Sequence, residues 1–458
     1  MITWRVAALF TVVGVAAIVI VEALDVGPWW ALVAAVVVVA LVTALDWLVA
    51  APVGEVRLRR EGPTQVRLGD SATVTLHVTN ESVRAMRAVV RDAWVPSAGA
   101  ADPYAHGITL DPGETGAVAT VLTPTRRGDR PAARVTIRSY GPLSLAFRQT
   151  GRRRSDQLTP RWTVRTLPEF PSRRLLPEKL SRLRVIEGQV VTRGRGQGSE
   201  FDSLREYVVG DDPRGIDWRA SARRQHLVSK QWRPERDRRV LCVLDTGRTS
   251  AGRIDTGDGP GGVPFTEERE AAGVPRLDLA IDAALLLSSV AAHAGDKVDV
   301  LAIDTQTHVD VTATSKQHLD KVHRALATLQ PALVETDFGR VVSEVLRTER
   351  KRALVVVFTT LDPGALGEGL VPVLPSLVSR HTVLVAAVHD PALDALAAGR
   401  GSANAIHTAA AAERGLAELA RVRAALTRHR VSVVDEPAQT FASAVTDHYL
   451  ALKAAGRL

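Results

Sequence analysis

Glu200, Asp202 and Glu206 set three carboxylates close together, with Arg195, Arg205 and Arg214 around them. Carboxylates this close can divide general acid and general base roles when their surroundings split their proton affinities. Arginines at the same density favour the other outcome, a network of ion pairs. Just upstream, Gly194-Arg195-Gly196-Gln197-Gly198 has the glycine content of a phosphate-cradling loop. Such a loop needs G-x-x-x-x-G-K-[ST] so that backbone amides and a lysine meet phosphate. No Lys, Ser or Thr stands at the required place, and the segment reads as a turn. The chain has no G-x-S-x-G, H-E-x-x-H or C-x-x-C, and its 12 histidines show no paired ligand spacing. These absences point away from an enzyme.

The same carboxylates belong to a longer run, residues 196–223, GQGSEFDSLREYVVGDDPRGIDWRASAR. Its mixture of charge, aromatics and turn formers exceeds what a solvated face requires. The run resembles the signature of the bacterial domain-of-unknown-function-58 family, carried here by Glu200, Phe201, Arg205, Glu206, Tyr207, Gly210, Asp211, Asp212, Arg214, Asp217, Trp218 and Arg223. Arg126-Arg127-Gly128 and Tyr140-Gly141-Pro142-Leu143 resemble the family's pattern further upstream. The resemblance implies a membrane-associated protein that works with a MoxR-type AAA+ ATPase. Phe201, Leu204, Tyr207 and Val208 fall at helical spacing, so a helix is expected over 200–209, stopped by Gly210-Asp211-Asp212-Pro213. Ile216 and Trp218 are expected to anchor in a following domain, Arg214, Arg219 and Arg223 to pair with acids, and Asp211 and Asp212 to contact the partner.

The elements that must position this segment begin with a membrane anchor. Val6–Val21 and Trp29–Leu45 are two apolar runs, the second extending to Ala50 with one charge, Asp46. Each approaches the ~20 residues a spanning helix needs. Asp25-Val26-Gly27-Pro28 turns between them, and Trp29, Trp30 and Trp47 suit the interfaces. Arg5 precedes the first run, and Arg57, Arg59 and Arg60 follow the second, so both ends belong in the cytoplasm. A cleaved signal peptide fits less well, because no A-x-A-like site follows the first run and a second span comes at once. Asp46 is expected at the cytoplasmic interface rather than as a functional intramembrane carboxylate.

From Val53 to about Gln149 the period becomes two, as in Ala72-Thr73-Val74-Thr75-Leu76-His77-Val78. About seven short strands with turns such as Asp111-Pro112-Gly113-Glu114 suggest an all-β sandwich of immunoglobulin or fibronectin type. With a single cysteine in the chain, Cys242, no intramolecular disulfide can pin it.

After Arg239, apolar strands alternate with helices. Val240–Asp245, Val298–Asp304, Leu354–Thr359 and Val383–Val388 read as strands, and 277–294, 315–329, 338–347, 411–428 and 437–454 as helices. That alternation implies a parallel sheet covered on both faces, with ligands at the strands' carboxyl ends. The arrangement resembles the von Willebrand factor A fold, in which a D-x-S-x-S loop helps hold Mg²⁺. Asp245-Thr246-Gly247-Arg248-Thr249 matches that loop imperfectly. Asp245 and Thr249 correspond, Gly247 lacks the first hydroxyl, and Arg248 adds positive charge. Thr336 would be the later threonine; the last aspartate is expected near Thr360, with Asp362 standing in if the loop bends. The resemblance therefore implies a degenerate set of Asp245, Thr249, Thr336 and Asp362, with Mg²⁺ as the one cofactor it could take. The Gly- and Asp-rich stretch Ser250–Ala272 reads as a surface loop.

The expected architecture is a transmembrane helical hairpin at 1–52, a β-sandwich at 53–165, a basic connector with the signature at 166–235, and a C-terminal α/β von Willebrand factor A-like domain at 236–458. The chain's net charge of +8 sits in the connector, where residues 151–239 hold 22 Lys plus Arg against 12 Asp plus Glu. Nucleic acid is a poor partner for it, since zinc-finger spacing, stacking aromatics and a helix-turn-helix pattern are missing. Lipid contact through residues 6–50 and an acidic or ATPase partner fit better. The expected function is a non-enzymatic membrane-anchored adaptor in protein assembly or maturation. The alternative is a membrane-bound divalent-metal hydrolase centred on Asp245.

Overall fold

The computed structural model describes residues 1–24, 27–193, 200–208, 213–233, 238–254, 273–313 and 319–458. These fall into two compact units, Met1–Leu167 and Pro168–Leu458.

Unit 1 opens with helices α1 (Arg5–Leu24) and α2 (Pro28–Val49). Of the two, α2 alone is both long and apolar enough to cross a membrane; the apolar stretch of α1, Arg5–Val21, is shorter. Strands β1 (Val56–Glu61), β2 (Gln65–Arg67), β3 (Ala72–Asn80), β4 (Met86–Trp94), β5 (His106–Leu110), β6 (Thr115–Leu122), β7 (Gly128–Tyr140), β8 (Phe147–Gln149) and β9 (Thr163–Leu167) follow, with a short helix α3 (Arg152–Leu158) before the last. They form one sheet of order β1-β3-β6 and another of order β2-β9-β7-β4-β5, with β8 on β7. In β3 the residues Ala72, Val74, Leu76 and Val78 point inward and Thr73, Thr75 and His77 between them point out, as period-two alternation requires. Leu76 and Val78 of the first sheet meet Met86, Val90 and Ile137 of the second in one core.

Asp46 has a role that the sequence reading did not include. It is 3% exposed, and its carboxylate accepts the backbone N–H groups of Leu143 (2.8 Å), Leu145 (2.8 Å) and Ala146 (2.9 Å). It is a clamp between the end of α2 and the β7–β8 turn. Gly141 in that turn is explained by the same contact, since a Cβ there would lie 2.3 Å from Asp46 oxygens.

Unit 2 starts with α4 (Leu176–Arg193), then the antiparallel pair β10 (Glu200–Glu206) and β11 (Val228–Arg233), with α5 (Trp218–Arg224) between them. β12 (Arg239–Asp245) enters the main sheet, and β13 (Arg253–Ile254) and β14 (Val274–Pro275) make a short side pair. There follow α6 (Arg276–His293), β15 (Lys297–Ile303), β16 (Thr307–Ala313), α7 (Leu319–Ala327), α8 (Phe338–Thr348), β17 (Leu354–Phe358), α9 (Leu374–Val378), β18 (Thr382–His389), α10 (Pro391–Ala397), α11 (Ala403–Arg428), β19 (Ser432–Pro437) and α12 (Ala438–Ala454). The sheet order is β16-β15-β12-β17-β18-β19, parallel except for the antiparallel edge strand β16. One face packs on α6, α12 and Leu183 of α4, the other on α8 and α11. The basic connector is therefore not a linker: β9 belongs to the sandwich and α4 to the α/β core.

Where a helix was expected over 200–209, Glu200–Glu206 form a strand. β10 pairs with β11 from Glu200↔Arg233 to Glu206↔Val228, with a register shift between Phe201 and Ser203. Asp202 is the extra residue of that bulge, which puts the apolar Phe201 and Leu204 three apart instead of two. A bulged strand thus imitates helical spacing.

Candidate functional site

The carboxyl ends of β12 and β17 and the turn before α8 converge on Asp245. β12 is a run of buried apolar residues that ends in this acid, so the strand delivers a carboxylate to the sheet's edge at 3% exposure. Asp245 Oδ1 accepts the Gly247 N–H at 2.8 Å and the Thr336 hydroxyl at 2.5 Å. Oδ2 accepts the hydroxyls of Thr359 at 2.6 Å and Thr249 at 3.3 Å. The expected residues Thr249 and Thr336 do come together around Asp245. Asp362 does not: it accepts the Ala365 N–H at 2.8 Å, capping the following turn. Thr359 takes the third hydroxyl position. The pattern in the sequence pointed one residue further, to Thr360, because strand ends cannot be placed to a single residue from periodicity.

The loop after β12 is fixed by backbone bonds from Arg248 N–H to the Val334 carbonyl (2.8 Å) and from Ala332 N–H to the Thr246 carbonyl (2.7 Å). A Cβ on Gly247 would stand 2.1 Å from the Thr336 hydroxyl oxygen, so that hydroxyl fills the room a serine would need. Arg248 turns out to the exposed Glu335 at 2.6 Å. Next door, buried Asp304 accepts from Thr246 (3.1 Å), Gln306 N–H (2.9 Å) and His308 (2.7 Å). Burial raises its proton affinity, but these donors outweigh that and hold the carboxyl below its usual range.

A divalent ion fits this donor set poorly. One carboxylate supplies the only formal negative charge among Asp245, Thr249, Thr336 and Thr359. The adjoining cleft measures about 10 Å³ and is also lined by the Arg276 guanidinium. Such a void is about the size of one water, whereas Mg²⁺ keeps several. Among the described residues no group of three or more His, Cys, Asp or Glu could hold a metal. Beyond Thr360 the edge opens into a cavity of about 320 Å³, lined by Asp362, His389, Asp390, Glu418 and Asp435 together with Arg276. Burial lowers the proton affinity of His389, but Asp394 at 2.6 Å and Asp435 at 3.7 Å more than offset it and raise its pKa.

The signature forms a separate surface. Gly210, Asp211 and Asp212 lie outside the described residues, as do the side chains of Glu200, Phe201, Arg205 and Arg214. Asp217 caps α5, accepting the N–H groups of Arg219 (3.1 Å) and Ala220 (3.0 Å). Ile216 bridges Ser229, Asp217 N–H bonds the Val228 carbonyl, and Tyr207 N–H bonds the Leu227 carbonyl, tying the segment to β11. Glu206 and Arg223 are exposed. Trp218 was expected to be buried as an anchor. It is 68% exposed, because the Asp217 cap starts α5 so that the hydroxyl of Ser221, not the indole, faces β11. Val208 and Leu227 are exposed as well.

Residues 203–259 and 264–430 match the family described as protein of unknown function DUF58. The chain belongs to this family. The matched stretch takes in most of the signature, the Asp245 cluster and the main sheet up to α11. Two mycobacterial proteins, from Mycobacterium tuberculosis and Mycobacterium bovis and each described as uncharacterized, are 28% identical over 215 residues, 45% of this chain and 60% of theirs. The chain thus spans 60% of the length of the curated relatives it matches. Among solved structures, part of Escherichia coli alpha-2-macroglobulin is 20% identical with a TM-score of 0.21, covering 27% of this chain and 18% of its own. A CARDB domain from Pyrococcus furiosus is 15% identical with a TM-score of 0.18, covering 24% of this chain and 87% of its own. Likenesses at these scores assign no fold.

Proposed function

We propose that this chain is a membrane-anchored, non-enzymatic adaptor whose signature segment docks a protein partner. The observation that carries this is the exposure of Trp218, with Val208 and Leu227, on a segment held rigid by β10–β11 pairing. Exposed large apolar residues on a fixed frame mark contact surfaces, and tryptophan is the side chain that most often dominates such contacts. The Asp245 cluster supports the same reading from the other side. Its four donors all point at one carboxylate, so the oxygens of Asp245 are engaged in holding the loops together rather than free to act as a base, which weighs against the hydrolase alternative. The partner that the family resemblance supplies is a MoxR-type AAA+ ATPase.

The finer fold assignments belong to this proposal. A sheet ordered β16-β15-β12-β17-β18-β19, with one antiparallel edge and an acid ending β12, supports a von Willebrand factor A-like unit. Two sheets sharing one core support an immunoglobulin-like sandwich. α2, at roughly 33 Å by its 1.5 Å rise per residue, matches a bilayer's hydrocarbon core. α1 is read as the first of two spans, with both soluble units cytoplasmic by the arginine distribution.

Capture of a MoxR-type ATPase from the same organism by the full-length protein in detergent tests the adaptor reading. Trp218→Ala and Val208→Ser should cut capture at least tenfold while leaving the melting temperature in place. Capture that is absent, or indifferent to both substitutions, refutes it. A reporter active only outside the cytoplasm, fused at Leu458, should be silent; activity would reverse the topology.

A further inference from the structure

We propose that unit 1 binds an anionic phospholipid, with the phosphate held by an arginine collar at the C-terminal end of α2 and an acyl chain lying in the groove between α1 and α2. The inference rests on the reading of α1 and α2 as membrane spans.

The last carbonyls of a helix have no partner within it. Here arginines from the β-sandwich supply donors. Arg148 donates to the Trp47 carbonyl at 3.0 Å and the Leu48 carbonyl at 3.4 Å, and its guanidinium stacks 4.5 Å over the Trp47 ring. Arg84 also donates to the Leu48 carbonyl. Arg87 reaches the Pro142 carbonyl and Arg5 the Leu143 carbonyl, both at 3.5 Å. Asp46 joins these two stretches through its bond with Leu143 N–H. Two guanidinium groups therefore sit on the helix end and two more on the turn that Asp46 ties to it.

Their charge is not neutralised locally. Among the described residues none of Arg5, Arg84, Arg87 and Arg148 forms an ion pair with a carboxylate, unlike Arg134 with Asp156 or Arg165 with Asp129. The acid they surround, Asp46, has its oxygens taken by three amides. Against four positive charges stand that one carboxylate and a helix end worth roughly −0.5. Each guanidinium carries five N–H donors and uses one or two here, so donors remain for a phosphate, whose geometry the fork matches.

Directly beside the collar lies an apolar groove of about 530 Å³, lined by Val6, Phe10, Val36, Val39, Ala40 and Trp47. Trp47 belongs to both, so the groove and the stacked Arg148 are continuous. At the same end of the unit Trp4, Val83 and Leu143 are exposed apolar residues, suited to the interface. Apolar slot and uncompensated arginines, in that order along α2, match tail and phosphate. A zwitterionic lipid brings its own ammonium group to the collar, so an anionic headgroup is preferred.

Native mass spectrometry of the full-length protein, incubated in detergent with phosphatidylglycerol and phosphatidylcholine of matched chains, tests this. Phosphatidylglycerol should be retained in preference. Arg84→Gln with Arg87→Gln and Arg148→Gln should weaken that retention about 100-fold, at about five-fold per arginine near an anionic lipid. Arg134→Gln with Arg165→Gln should leave it unchanged. Ala40→Trp, which fills the groove without altering charge, should also abolish it. If the glutamine variant misfolds, the corresponding lysine triple variant keeps the charge and should keep the preference. Equal retention of the two lipids, or retention indifferent to the glutamine and Ala40→Trp variants, overturns the proposal. Resistance to alkaline extraction of membranes separates the two readings. A protein that stays embedded but is lipid-indifferent sinks only the collar, whereas one that washes off sinks the membrane reading and the collar together.

Discussion

Replacing Asp46 by alanine should loosen the β7–β8 turn specifically. The carboxylate is the acceptor for three backbone amides, of which those of Leu145 and Ala146 are buried and that of Leu143 partly so. A buried donor left without its partner costs about 1–3 kcal/mol. Two buried amides give about 2–6 kcal/mol, and the partly buried one adds less because water can reach it. The loss falls on opening of the 141–147 turn, so exchange of those amides with deuterium should accelerate at least about 30-fold, since 1.4 kcal/mol is a factor of ten. Native-state hydrogen exchange read on the peptide covering the turn measures this directly. Asp46→Asn keeps one acceptor oxygen but turns an NH₂ toward the amides, and should fall between wild type and alanine. Gly141→Ala should give a loss of similar size, because its Cβ would stand 2.3 Å from Asp46 oxygens. Unchanged protection in Asp46→Ala would refute the clamp.

In unit 2, Lys453→Met should destabilise by about 3–5 kcal/mol, because it leaves buried Asp296 with the Tyr449 hydroxyl (2.6 Å) but without the ammonium at 3.0 Å; a denaturant titration should also show Lys453→Met with Asp296→Leu recovering much of the loss. His381 is 2% exposed with neither ring nitrogen hydrogen-bonded among the described residues, and burial lowers its pKa from 6.5. The unfolded chain therefore takes up a proton first as pH falls below about 6.5, and stability should drop by up to about 1.4 kcal/mol per pH unit in a window that His381→Leu removes; equal pH dependence in wild type and variant would show that the ring is not held neutral. Trp218→Ala, at 68% exposure, should change stability by no more than about 0.5 kcal/mol, and a large melting loss would mean the indole is buried after all. Calorimetry on the full-length protein should find Mg²⁺ binding weaker than millimolar; a micromolar constant abolished by Asp245→Ala would show that the cluster rearranges into a competent site.

The main architecture was legible because it rests on periodicities that each segment carries in itself. The apolar runs of α1 and α2, the alternation in β3, and the buried runs β12, β17 and β18 each follow from which faces must be dry, a local property of the chain. Asp245 at the end of β12, with Thr249 and Thr336 nearby, was legible through the resemblance of 245–249 to a D-x-S-x-S loop, and a parallel sheet does collect its loops at the carboxyl edge. What tertiary structure alone decided was pairing between distant segments. The bulge at Asp202 exists only because β11 imposes a register on β10, and without that partner the spacing of Phe201 and Leu204 reads as a helix. Thr359 rather than Asp362 reaches Asp245 because the strand end and the cap at Ala365 fix the two side chains in opposite tasks. Trp218 lies outside because Asp217 sets the phase of a seven-residue helix, and a segment that short has no periodicity of its own from which to read a buried face. Asp46 is held by amides nearly one hundred residues away, and backbone N–H groups carry no trace in the sequence of which side chain will meet them.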